Sequence, residues 1–460
     1  LPLEPWLAHQ RRDAYWRHGS ICEDWGAVDV PVFVIAGWGD GYRNTPAALA
    51  AKMGAPVKAM VGPWIHKYPH FAWPHPRADF LRMAIAWWRH HLMGEHTEAT
   101  DWPLYRAWLG EGVRAGGRRA AEEGRWVGLD ALPSDKVARR AFALGADGRI
   151  GSETPGPLTL ASPETCGTAC GEYFARNPVA DLPGDQRPDD ALALTWETAP
   201  LDETLDLLGR AEVSVEVSLD RTQGNLAARL LDVHPDGAST LIARGVLNLS
   251  HRHSNAEPEL MTPGRPERIS LFLDECGYSL RPGHRLRLAL STAYWPYILP
   301  APEHVTATLE AGAGATLTLP VLSGARAASP PIAVDPDPLP THETLSEGHD
   351  WREVTRDLAT GRTRYVISED SGLLRHPDHH MVWHETRDET WEIDPEDPSS
   401  ATGTLVFTTM RQRDEMRGET RAEIRFACTP ASFEADVVLT AQEAGTELFR
   451  RTWTLRLPRD

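Results

Sequence analysis

The sequence predicts an α/β segment followed by β-structure: the last strand–helix units of a doubly wound parallel sheet, a β-sandwich, and a further all-β segment. Three observations carry this. VPVFVIAG (Val30 to Gly37) is an almost unbroken apolar run rich in β-branched residues, as in a strand buried on both faces of a parallel sheet. Helix-period and strand-period segments alternate only as far as about residue 98. Beyond it, short alternating strands are separated by Gly, Pro and Asp turns, with no further long helix.

Within the α/β segment, Thr45 as N-cap, Pro46 in the first turn, an Ala-rich interior and Gly54 past the end mark a helix after the first strand. VKAMVG (Val57 to Gly62) reads as a second buried strand. A long helix is expected over about Arg77 to Met93, with Leu81, Ile85, Trp88 and Leu92 forming one apolar face and Gly94 ending it. AEVSVEVSLD (211–220) alternates strictly. The stretch 225–249 reads as two strands joined by His-Pro-Asp-Gly, and HRLRLALST (284–292) as another strand. Residues 323–343 are Pro- and Ala-rich and read as a semi-rigid connector. GTLVFTTM, RAEIRFAC, ADVVLTA and LFRRTWTLRL then follow as successive antiparallel strands.

The chain has 460 residues, room for about three domains. With 47 Lys and Arg against 65 Asp and Glu, its formal charge of −18 argues against sequence-independent nucleic-acid binding. No apolar run is long enough for a membrane helix, so neither nucleic acid nor membrane is expected as a partner. Five cysteines make no disulfide framework; Cys166 and Cys170 are expected as free thiols of a cytoplasmic protein rather than a small bridge. Nineteen histidines occur in several clusters, but without HExxH or paired Cys, so no metal and no cofactor is expected. The chain opens LPLEPWLAHQ, without an initiator Met or a signal peptide, which suggests a preceding segment removed or never part of it.

The chemistry-bearing candidates are Asp40, directly after the first strand in AGWGDGYRN, and His66, after the second in VGPWIHKYP. Working residues of open α/β sheets lie in loops at the carboxyl ends of strands. An acid followed by a histidine in successive such loops suits a base that takes a proton from a nucleophile while a carboxylate holds its ring. From spacing alone Asp40 reads equally as a turn residue and His66 as a surface histidine. Trp38 and Trp64 flank the pair and suit either a substrate pocket or ordinary core.

VFVIAGWGDGYRN and MVGPWIHKYP resemble the acid and histidine segments of the cocaine-esterase and X-Pro dipeptidyl-peptidase family of α/β-hydrolases. DAYWRHGSICEDWGAVDVPV (13–32) and DFLRMAIAWWRHHLMGE (79–95) extend the resemblance. LTWETAPL, NLAARLLDVHPDG and LRPGHRLRLALSTAYWP resemble the family's jelly-roll domain. The resemblance implies residues 1–98 as the C-terminal end of an α/β-hydrolase sheet and 99–325 as a jelly-roll β-sandwich. A linker over 326–343 and an additional all-β domain over 344–460 complete the division. It implies Asp40 as triad acid and His66 as triad base; Trp38 and Trp64 are the substrate-binding candidates because they flank this pair in sequence. The family's nucleophilic Ser and its elbow have no counterpart here: no Gly-x-Ser-x-Gly occurs, and Ser20 lies only 20 residues before Asp40.

The expectation is therefore a serine hydrolase acting on a small-molecule ester or peptide, of the X-Pro peptidase or α-amino-acid ester type. Its Ser would lie on an N-terminal fragment outside this chain, and self-association is left open. The alternative is a non-catalytic β-sandwich binding or assembly module.

Overall fold

The computed structural model describes residues 3–177, 180–324, 326–327 and 342–459. Most of the Pro-rich connector lies outside these residues.

Two short helices, α1 (Leu3–Ala8) and α2 (Ala14–His18), lead into β1 (Val32–Gly37). Helix α3 (Thr45–Lys52) connects β1 to β2 (Val57–Gly62), which runs parallel to it in register from Val32 opposite Val57 to Gly37 opposite Gly62. Helix α4 (Phe80–Met93) follows, and β3 (Tyr105–Glu111) then adds a third parallel strand beside β2. β3 lies beyond residue 98, where the sequence shows only a change to short strands and turns. As the innermost of the three it is the most buried, whereas β1 is the half-buried edge strand rather than one covered on both faces.

The cap of α3 is Asn44, not Thr45. The side chain of Asn44 makes no cap hydrogen bond and instead binds Asp274 and the Glu275 amide. Helix α4 is capped by Asp79, which accepts from Arg82 N, and closes on Gly94 in the left-handed region at φ 68°, as read from the sequence. Its predicted apolar face is oriented the other way. Met83, Ala86 and Trp87 are buried, Trp87 packing against Phe33 of β1, while Leu81, Ile85, Trp88 and Leu92 are exposed. The helix is apolar on two sides, and periodicity alone does not say which side the sheet covers.

The chain then runs through β4 (Gly124–Leu129), β5 (Val137–Leu144), β6 (Gly156–Leu160), the single turn α5 (Arg187–Asp190) and β7 (Leu194–Glu197). Next come β8 (Leu205–Leu219), β9 (Asn225–Val233), β10 (Ser239–Asn248), β11 (Glu267–Leu280), β12 (Arg285–Ser291), β13 (Ala307–Leu322) and β14 (Arg326–Ala327). These strands form a two-sheet sandwich. One sheet runs β1-β2-β3-β11-β8-β13-β5, with β4 pairing β3 and β14 and with β6 pairing β13, and the other runs β10-β9-β12-β7. The parallel strands thus continue into the sandwich without a break, through β3 beside β11. Val213, Val215, Val217 and Leu219 of β8 point inward, alternating with partly exposed residues as the period of two requires. They meet Leu226, Leu230, Leu286 and Leu288 of the opposite sheet in the largest core of the molecule.

The C-terminal segment is antiparallel. Its strands are β15 (Glu343–Ser346), β16 (His349–Arg356), β17 (Thr363–Asp370), β18 (Leu373–Arg375), β19 (Val382–Asp394), β20 (Asp397–Arg413), β21 (Met416–Cys428), β22 (Ser432–Glu443) and β23 (Thr446–Pro458). They form one sheet in the order β15-β18-β19-β20-β21-β22-β23, with the β16–β17 hairpin joined to β19. Tight hairpins are set by positive φ at Asp414 (53°), Ala444 (47°) and Gly445 (83°). Tyr365, Ile367, Ile393 and Cys428 of this sheet pack around Trp295, which the sandwich contributes.

Candidate active site

The carboxyl ends of β1 and β2 converge because glycine permits it. A Cβ on Gly37 would lie 1.9 Å from the Trp64 carbonyl oxygen. Trp38 N donates to Gly62 O, and Gly39 N to Trp64 O, both at 2.9 Å, so the two loops leave the sheet side by side. This brings Asp40 and His66 together. His66 Nδ1 donates to Asp40 Oδ2 at 2.9 Å, and Asp40 Oδ1 accepts from Tyr42 N at 3.0 Å. The carboxylate is almost wholly buried, at 9% side-chain exposure, while the imidazole is 41% exposed. With Nδ1 committed to a carboxylate, Nε2 is left as the acceptor nitrogen.

The acid loop is anchored to the sandwich. Arg43 Nε donates to Asp40 O at 2.7 Å and its guanidinium pairs with Asp274 at 2.9 Å. Asn44 Nδ2 donates to Asp274 Oδ1 at 2.8 Å and Asn44 Oδ1 accepts from Glu275 N at 2.7 Å. Asp274 and Glu275 sit where the β8–β11 register shifts, the kind of bulge that re-aims side chains away from a sheet.

The histidine loop is braced by a loop of the sandwich. His66 N donates to Ala175 O at 2.8 Å, and the Phe174 ring lies 4.1 Å from the imidazole, centroid to centroid. Tyr42 completes this aromatic rim, 5.5 Å from Phe174. Ile65, Ala175 and Leu182 form a small core beneath it. Phe174 and Arg43 were not singled out from the sequence. Arg43 stands in the quoted acid motif, but Phe174 comes from an irregular stretch with no motif of its own.

The two tryptophans separate. Trp38 donates from Nε1 to Trp108 O at 2.8 Å and its ring lines a cavity of about 90 Å³ with Arg43, Glu275, Cys276 and Tyr278. Trp64 is 1% exposed; its ring packs over Gly62 and donates to Pro76 O, as a core residue does. Burial pushes the Glu275 carboxyl up to about 7, with Arg210 opposing the shift.

Among the described residues no Ser, Thr or Cys is hydrogen-bonded to His66, and all five cysteines are free thiols. One further group has metal-ligand character: Asp232, His234 and His284 are buried, with ligand atoms within 4.8 Å of one another. Several of their polar atoms have protein partners. His284 Nδ1 and Tyr278 OH donate to the two Asp232 oxygens at 2.8 Å each, and His234 Nε2 donates to Val113 O at 3.2 Å. These hydrogen bonds tie the group together within the sandwich.

Comparison with known proteins finds similarity to hydrolases. The family described as the X-Pro dipeptidyl-peptidase C-terminal non-catalytic domain matches residues 98–329, and the X-Pro dipeptidyl-peptidase (S15) family matches residues 1–68. The cocaine esterase of Rhodococcus sp. (strain MB1 Bresler) is 25% identical over 329 residues, covering 64% of this chain and 55% of that enzyme. Among solved structures, an α-amino acid ester hydrolase superposes with a TM-score of 0.53 at 18% identity, over 70% of this chain and 61% of that one. An aminopeptidase from a marine sediment archaeon (Thaumarchaeota) gives 0.54 at 15% identity, over 69% and 60%. A CocE/NonD family hydrolase from Staphylococcus aureus gives 0.53 at 12% identity, over 68% and 57%. The chain belongs to the cocaine-esterase and X-Pro dipeptidyl-peptidase family, and it spans little more than half the length of the esterase it matches.

Proposed function

We propose that this chain supplies the acid and base of a Ser–His–Asp acyl hydrolase, with the nucleophilic Ser contributed by a segment outside these 460 residues. The observation that carries the reading is the 2.9 Å bond from His66 Nδ1 to Asp40 Oδ2 at the ends of successive parallel strands. In this mechanism Asp40 fixes the ring tautomer and stabilises the imidazolium. His66 Nε2 takes the Ser proton as the acyl-enzyme forms and returns it to the leaving group. Water, activated by the same nitrogen, then releases the acid. The substrate is an ester or amide of a small molecule or peptide. The family supports α-amino-acyl esters or X-Pro peptides as candidate classes and jelly-roll connectivity for the sandwich. Trp38 is the tryptophan suited to line the acyl pocket.

Two surfaces support a further segment of hydrolase sheet. The outer edge of β1 has no strand beside it among the described residues, and α4 exposes Leu81, Ile85, Trp88 and Leu92. The second reading, a non-catalytic module, is favoured for residues 98–329 by the description of the family that matches them, and is compatible with a catalytic role for residues 32–66.

The test is hydrolysis of p-nitrophenyl esters by the whole protein that carries this chain. His66→Ala is expected to lower kcat by about 10³-fold or more. Near-normal turnover in the folded variant would remove the assignment.

A further inference from the structure

The loop that braces His66 is itself held from outside the sandwich, by a buried arginine of the C-terminal sheet. Glu172 and Asp181 stand at its two stems, joined by Glu172 N donating to Asp181 O at 2.8 Å. Asp181 Oδ2 accepts from Arg176 N at 2.7 Å and from Asn177 N at 2.8 Å, so this carboxylate also shapes the turn after Ala175. The remaining Asp181 oxygen, Oδ1, and Glu172 Oε1 both receive the guanidinium of Arg352, at 2.5 Å each. Arg352 is 10% exposed at its side chain and Asp181 3%. Arg352 lies on β16, opposite Ile367 of β17, whose side chain is in the core around Trp295. Glu369 of β17 accepts from it at 3.3 Å, and Arg387 of β19 stands 3.6 Å from Glu172.

We propose that Arg352 is a positioning residue for His66: by tying both stems of the 172–182 loop to the C-terminal sheet, it fixes Phe174 and Ala175 against the imidazole and its backbone. The inference rests on the reading of His66 as the triad base. Its physical content is a chain of direct contacts. The forked guanidinium holds two carboxylates in a geometry that a single point charge cannot reproduce. The carboxylates fix the loop, Ala175 O takes the His66 amide, and the Phe174 ring packs on the imidazole at 4.1 Å. Nothing in this chain of contacts touches a reacting atom, so the C-terminal sheet acts on catalysis only through the orientation of His66. This gives residues 344–459 a role in a hydrolase whose acid and base both precede residue 70.

The test uses the whole protein with a p-nitrophenyl ester and a fluorophosphonate probe, comparing Arg352→Met, Arg352→Lys and His66→Ala. Arg352→Met is expected to lower kcat by about 10- to 100-fold, the cost of misplacing a catalytic group by about 1 Å. KM should change less than about 3-fold, and the probe should label more slowly by the same factor as kcat. Arg352→Lys, which keeps the charge without the fork, should recover part of the loss. A purely structural arginine would lower the melting temperature and leave kcat and labelling rate where they were, and that result overturns the proposal. Should Arg352→Met fail to fold, Glu172→Gln keeps the shape of the pair. The same slower kcat and labelling support the proposal, and unchanged values overturn it. His66→Ala separates the two levels. Lost activity there with unchanged Arg352 variants overturns the positioning role alone. Retained activity in His66→Ala overturns the triad reading and the positioning role with it.

Discussion

The Phe174 ring lies 4.1 Å from the His66 imidazole, although one comes from a loop of the β-sandwich and the other from the end of a parallel strand. The geometry of the acid–base pair is therefore a property of the joined sheets and not of the strand ends alone. The acid side has the same character, since Arg43 and Asn44 grip Asp274 on β11.

Replacing Asp40 by Asn keeps the shape of the site and reverses the hydrogen-bonding demand on Nδ1. The amide nitrogen would donate to Nδ1 and leave the proton on Nε2. The expected result is a fall in kcat of about 10³- to 10⁴-fold with little change in melting temperature, read by steady-state kinetics and thermal denaturation of the whole protein.

Gly41 is a site where one methyl group should matter. A Cβ there would lie 2.8 Å from Phe174 Cδ2 and 3.1 Å from Tyr173 Cε1. Gly41→Ala is expected to push the aromatic rim off the imidazole and lower kcat, with Tyr173 and Phe174 displaced in a crystal structure of the variant. Unchanged kinetics would mean that the loop yields without consequence.

The exposed face of α4 makes a contrast between contexts. Leu81, Ile85, Trp88 and Leu92 are each more than half exposed in this chain. If the rest of a hydrolase domain covers them, Trp88→Ser should cost the whole protein about 1–3 kcal/mol, the scale of a buried apolar side chain. The same change should cost the isolated chain almost nothing and reduce its binding of a hydrophobic dye. Equal effects in both contexts would show that nothing covers this face.

Glu275 links stability to pH. Its carboxyl is pushed up to about 7 in the fold by burial, from the usual value of 4.5. Between these values the folded protein holds a proton that the unfolded chain has released, so stability falls as pH rises from about 4.5 to about 7. The ceiling on this contribution is about 3 kcal/mol at 1.36 kcal/mol per unit. Glu275→Gln is expected to flatten the decline in melting temperature between pH 5 and 7.5 and to be more stable than wild type at its upper end. A variant with the wild-type slope would assign the pH dependence to other groups, Glu164 among them, which burial also raises to about 7.

The placing of Asp40 and His66 at successive strand ends was legible in the sequence because the signal is local: an apolar run, a tight Gly-containing turn and the polar candidate lie within a dozen positions. The alternating strands of the sandwich and of the C-terminal sheet were legible for the same reason. The direction of the α4 stripe was not, because the helix has apolar residues on two sides and only the neighbouring sheet selects one. Trp64 read as well for pocket as for core until Gly62 and Pro76 placed it. β3 lacks the β-branched run that marks β1 and owes its strand to β2 on one side and chiefly to β4 on the other. Phe174, Asp274 and Arg352 had no local signature at all. They reach the site through contacts between segments far apart in sequence, where no periodicity can register them.

The most direct measurement is fluorophosphonate labelling of the whole protein, with the modified peptide mapped by mass spectrometry, for wild type and His66→Ala. The account predicts one labelled Ser outside these 460 residues and loss of labelling in His66→Ala. A label on a Ser within the chain, or labelling indifferent to His66, would contradict it.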